Sequence, residues 1–116
     1  MFKELFEAKV DNKAPSYVTP ELEKAIMKYA DAVQADCNKA KAGHTYTVKY
    51  NKAYAAIMWQ DGEWAHSFVV ISNSSSKSAR FTIGDIMKAG SSTTAPTGKK
   101  TFGNVLSDYK VKWEGY

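Results

Sequence analysis

Apolar and polar positions alternate most clearly between Thr45 and Ser72, where two hydrophobic runs flank Gln60-Asp61-Gly62-Glu63. An Asp-Gly pair between such runs predicts a tight hairpin turn, because both turn positions need positive φ and these residues tolerate it. Pairing Gln60 with Glu63 sets Trp59 opposite Trp64, Ile57 opposite His66 and Ala55 opposite Phe68, all on one face. Tyr46, Val48 and Tyr50 alternate with Thr45, Thr47 and Lys49, so residues 45–51 predict a preceding strand. A turn at Asn51-Lys52 would pair Val48 with Ala55 and Tyr46 with Ile57, adding Tyr46 and Val48 to the same face. Val69 and Ile71 then fall on the opposite face beside Tyr54 and Met58, and that face also needs cover.

A period of 3.6 replaces the period of two in the first third of the chain. Thr19 is a good N-cap, Pro20 occupies the first helical position, and Glu21 and Glu23 place negative charge in the first turn. Leu22, Ile26, Tyr29, Ala30, Val33 and Cys37 share one face, and Lys39, Lys41 and Gly43 read as the last turn and its C′ stop. The spacing predicts a helix over 20–42. Phe2, Leu5, Phe6 and Val10 also recur at helical spacing, which predicts a short amphipathic helix over 2–9 that needs a surface to dock on.

Later signals are shorter. Arg80-Phe81-Thr82-Ile83 predicts an edge strand, and Thr82 with Asp85 resembles a capping box for a short helix over 84–89. Residues 90–101 are rich in Ser, Thr, Pro and Gly and predict a mobile loop. Tyr109, Val111 and Trp113 alternate with Lys110 and Lys112, which predicts a last strand. The expected fold is α+β: one long helix packed on an antiparallel meander sheet of three to five strands. The expected organisation is an N-terminal helix within 1–10 and one domain over 16–116.

Composition narrows the function classes. The chain has 116 residues, 44% hydrophobic and 24% charged, which suits one globular domain burying roughly two thirds of its unfolded surface. One cysteine rules out an internal disulfide and fits a reducing compartment. No apolar run reaches the roughly 18 residues of a membrane span and the N-terminus lacks a signal-peptide core, so a cytoplasmic location is expected. The net charge is +4, and residues 77–101 carry all of it, with Lys77, Arg80, Lys88, Lys99 and Lys100 set against Asp85. Such a segment suits a phosphate-bearing or acidic partner.

Candidate chemistry is thin. Cys37 lies on the apolar helix face, His66 is expected on a core face, and His44 follows a helix end. One Cys and two His without close spacing fit no usual zinc pattern. Asp61 and Glu63 flank a turn that explains them without catalysis. Gly98-Lys99-Lys100-Thr101 lacks the first glycine and the Ser/Thr of a phosphate loop, although its amides and ammonium groups can touch phosphate. No catalytic, metal or cofactor residues are expected. Most aromatics fall on the core face, which leaves Tyr50, Tyr54, Tyr109 and Tyr116 as candidates for exposure.

Met1-Phe2-Lys3-Glu4-Leu5-Phe6-Glu7-Ala8 resembles the start of small proteins of T4-like tailed bacteriophages. Leu5-Phe6-Glu7 before Ala8 is similar to the site cut by their prohead protease. The resemblance implies a leader that directs internal head proteins into the capsid, and products that act on host defences. The main domain carries no family motif. The leading expectation is therefore a non-enzymatic binding module of phage type that engages a host or virion protein, in the host cytoplasm or the virion. Its contact residues would be Lys77, Arg80, Lys88, Lys99, Lys100, Phe2 and Phe6. The alternative is a nucleic-acid-binding protein using the basic segment 77–100. A small enzyme comes third, and a pocket holding His66 beside a carboxylate would point to it.

Overall fold

The computed structural model describes residues 9–59, 64–73, 81–89, 96 and 100–116. The leader 1–8, the Asp61-Gly62 turn, Lys77, Arg80 and Lys99 lie outside the described residues, as does most of the expected loop 90–101. Strand β1 (Lys9–Val10) leads into helix α1 (Pro20–Lys39), and strands β2 (Tyr46–Tyr50), β3 (Tyr54–Trp59), β4 (Trp64–Val70), β5 (Asp85–Lys88) and β6 (Thr101–Asn104) follow. They form one six-stranded sheet in chain order, with β1 parallel to β2 and every other pair antiparallel. The fold is α+β as expected, but the sheet is mixed and has six strands rather than three to five.

The added first strand turns the helix into a crossover between parallel neighbours. Lys9 and Val10, expected in a helix, pair with Thr47 and Val48. The Asn12 amide extends this edge: its Nδ2 donates to the Tyr50 carbonyl at 2.8 Å, and its Oδ1 accepts from the Tyr50 amide at 2.7 Å.

Helix α1 starts as its signals demand. The Thr19 hydroxyl accepts from the Leu22 amide at 3.1 Å, and Pro20 opens the first turn. Its end comes three residues early. Lys41, at φ 57°, takes the left-handed C′ position, with Lys41 N–H donating to Asn38 O and Ala42 N–H to Cys37 O. Those two bonds satisfy the last carbonyls before Gly43 is reached. Leu22, Ile26, Tyr29, Ala30, Val33 and Cys37 are buried together against the sheet, as their spacing predicts.

Both hairpins form, and both depart from the expected registers. In the first, Tyr50 pairs with Ala55 and Val48 with Ile57. Asn51 moves from a central turn position to the first, with Lys52-Ala53 at the centre; its N–H donates to the Tyr54 carbonyl, and its side-chain oxygen accepts from the Ala53 and Tyr54 amides. The face assignment survives because the slip is by an even number of residues.

In the second, Trp59 pairs with Trp64 as expected, but the register breaks between Met58 and Ile57: Met58 meets Ala65 while Ile57 meets Ser67. His66 is the additional residue of a β-bulge. Beyond it the faces exchange. Ser67, Val69 and Ile71 turn toward the helix, and Phe68 and Val70 turn away, reversing the expected assignment of Phe68, Val69 and Ile71.

The second sheet face is buried as well. Tyr54, Ala56, Met58, Phe68, Val70 and Met87 form a cluster there, with Phe81, Ile83 and Ala89 packed against it. The segment expected as a helix over 84–89 is strand β5 instead, and Phe81–Ile83 is its lead-in rather than a strand. The Thr82–Asp85 motif does form, with the Thr82 amide donating to Asp85 Oδ2 at 2.8 Å. It closes a turn, after which Ile86 and Met87 point into opposite buried faces. An adjacent apolar pair suits a strand buried on both sides as well as it suits a helix.

The expected last strand over 109–113 reduces to one bridge between Tyr109 and Gly103. Residues 110–116 instead form a tail held by side-chain bonds. Among the described residues no helix is long and apolar enough to cross a membrane.

Candidate functional site

The tail completes a cleft at one end of the sheet. Its walls are His44, after the helix; Trp59 and Trp64, at the end of the second hairpin; His66, in the bulge; Lys88, ending β5; and Trp113, Glu114 and Tyr116 of the tail. The cleft encloses about 470 Å³. Trp64, assigned to the core from its register, is 55% exposed. Facing the helix side does not bury it, because it stands at the open cleft.

Local chemistry places each wall. Gln34, buried on the helix, donates from Nε2 to the His44 carbonyl at 2.7 Å and accepts on Oε1 from the Tyr46 amide at 2.9 Å. This bond pair holds the entry to β2 and carries His44 onto Trp59, where the rings stack at 4.2 Å and 14°. Trp113 meets His44 edge-on at 5.5 Å. The Trp113 amide donates to Asp36 Oδ2 at 3.1 Å, and its carbonyl accepts from the Tyr46 hydroxyl at 3.0 Å. A side-chain amide or carboxylate that satisfies distant backbone leaves no periodic signal, so sequence reasoning misses Gln34 and Asp36.

The bulge sets the state of His66. Its Nε2 lies 2.5 Å from the Lys112 carbonyl, which can only accept, so that nitrogen carries the proton. Nδ1 therefore accepts from the Ser67 hydroxyl at 2.8 Å, and Ser67 Oγ accepts from Tyr29 at 2.8 Å. Tyr29 also meets the Tyr116 hydroxyl at 3.1 Å. Burial lowers the His66 pKa below its ordinary value, and the Lys112 carbonyl offsets part of that. Burial raises that of Tyr29 well above the usual phenol value, so this chain of hydroxyls is neutral.

The arrangement brings His66 and Glu114 into one pocket, the combination expected of an enzyme. Both ring nitrogens of His66 are already engaged within the protein, however. Ser67 and Cys37 are fully buried. Among the described residues no three His, Cys, Asp or Glu side chains come together to hold a metal. What the cleft offers a ligand is aromatic surface, the Lys88 ammonium and the Glu114 carboxylate.

Of the expected contact residues, Lys88 lines the cleft, and the Lys100 ammonium lies 5.5 Å over the Phe102 ring. Phe102 in turn stacks on Tyr116 at 4.9 Å. Lys77, Arg80, Lys99, Phe2 and Phe6 lie outside the described residues. Of the aromatics expected at the surface, Tyr50 and Tyr54 are buried, at 5% and 4% exposure, while Tyr109 and Tyr116 are half-buried. No family model, curated protein or solved structure matches the chain.

Proposed function

We propose that the protein is a non-enzymatic binding module and that its aromatic cleft takes single-stranded nucleic acid. One observation carries this reading: Lys88, from the segment that holds the chain's excess charge, lines the aromatic cleft that the hairpin and the tail build far away in sequence, while Lys100 of the same segment lies over Phe102, which stacks on the cleft residue Tyr116. Exposed rings beside ammonium groups are what unpaired bases and phosphates require, and each stacked base is worth roughly 1–3 kcal/mol. The non-enzymatic part is supported by the engagement of both His66 nitrogens and the burial of Ser67 and Cys37.

A host or virion protein is the second reading. The exposure of Trp64 favours it, since a half-exposed Trp at a cleft rim also suits a protein hot spot. The phage affiliation belongs to this proposal and rests on the leader Met1–Ala8; its test is detection of the chain in purified virions.

Fluorescence anisotropy with a labelled single strand tests the first reading. Affinity is expected to fall steeply with salt, and Trp64→Ala to weaken binding about tenfold. Binding that ignores salt, or that ignores Trp64→Ala, overturns it. Nuclease-resistant capture of a protein from lysate by wild type and not by Trp64→Ala then establishes the second reading.

A further inference from the structure

The cleft contains one feature that a plain binder of phosphate chains would not keep. Glu114 is exposed on the tail wall and has no ion-pair partner among the described residues; the same holds for Lys88 across the charge divide. A carboxylate repels a polyanion, so its presence in such a cleft calls for a contact that offsets the repulsion. An ionised carboxylate only accepts hydrogen bonds, and it accepts best from two parallel N–H groups.

Among the bases guanine alone presents that pattern on its unpaired edge, with N1–H and the N2 amino group side by side. Adenine and cytosine each pair one amino donor with a ring-nitrogen acceptor that would face a carboxylate oxygen. Uracil and thymine hold a single N–H between two carbonyls. We propose, resting on the nucleic-acid reading of this cleft, that it selects guanine: Trp64 supplies the stacking face, Glu114 accepts from N1–H and N2–H, and Lys88 meets the phosphate. Each exposed residue lining the cleft then has a complement on one ligand. The guanine edge is occupied in a duplex, so the same contact explains a preference for unpaired strands. A cleft of about 470 Å³ accommodates one nucleotide.

The test measures anisotropy of labelled six-nucleotide thymidine strands carrying one central guanine, inosine, adenine or cytosine. The expected order is guanine bound about tenfold more tightly than adenine or cytosine, with inosine, which lacks the N2 amino group, between them. Glu114→Gln is expected to level the four strands while circular dichroism stays unchanged, because Glu114 is exposed. Trp64→Ala is expected to weaken all four alike. Guanosine monophosphate as competitor separates the sources: displacement at equal affinity identifies a free nucleotide as the ligand, and displacement only at far higher concentration identifies a strand. Equal binding of all four strands, still weakened by Trp64→Ala, overturns guanine selection and leaves the cleft reading standing. A guanine preference that survives Glu114→Gln overturns it too. No binding of any strand or of the monophosphate overturns both.

Discussion

Single residues carry the strain and the titration of this protein. Gly103 sits at φ 127°, and a Cβ there would lie 2.6 Å from Tyr109 Cβ and 2.7 Å from its Cα. The next atom met is the Asp108 carbonyl oxygen, so the clash is with backbone and its attached Cβ, which cannot simply move aside. Gly103→Ala is expected to cost about 2–4 kcal/mol, read as a lower urea midpoint at unchanged m.

His66 gives stability a dependence on pH. Its pKa is lowered on folding, so the unfolded chain takes up the proton first. Its contribution is full above about pH 6.5, the unfolded value, and is lost as pH falls through the folded one. A protonated Nδ1 would point a donor at Ser67, which must then turn its own proton back toward Tyr29. His66→Asn is expected to flatten the fall of the urea midpoint as pH drops below about 6.5 relative to wild type. An unchanged profile would mean that the ring titrates alike in both states.

Among the elements, the tail depends most on side chains. The last bridge to the sheet is at Tyr109, just before it, yet Asp36, Tyr46, His66 and Tyr29 reach the tail from the helix and two strands. Tyr29, Tyr46 and His66 are buried, so Asp36 is the one of the four whose removal weakens the wall without opening the core. Asp36→Ala deletes the acceptor of the Trp113 amide and is expected to cost about 1 kcal/mol. Because Trp113 and Glu114 line the cleft, the variant is also expected to lose ligand affinity out of proportion to its stability. Denaturation and anisotropy on the same sample check this. A parallel loss in neither would detach the tail from the site.

At the scale of the molecule, charge that is loop-like in sequence converges with rings that the register had assigned to the core. Lys88 reaches the cleft because β5 pairs it with Ser67, on the helix side of the sheet. Lys88→Ala is therefore expected to reduce the slope of log affinity against log salt by about 1. Lys28→Ala, on the exposed side of α1, is expected to leave that slope unchanged. Equal effects from both would reduce the basic character to a general attraction.

The sequence by itself determined what short windows encode. The cap and buried face of α1, the two hairpins and the Trp59–Trp64 pair follow from turn chemistry and periodicity over a few residues. The tertiary structure decided the rest. A one-residue bulge at His66 carries no propensity signal, yet it exchanges the faces of everything after it. Residues 85–88 became a strand because β4 offered an unpaired edge and two buried faces, which outweighed a capping motif of modest energy. The cleft exists because His44 stacks on Trp59 and the tail turns back over His66. Both facts depend on contacts between residues far apart in the chain, where no local pattern can register them.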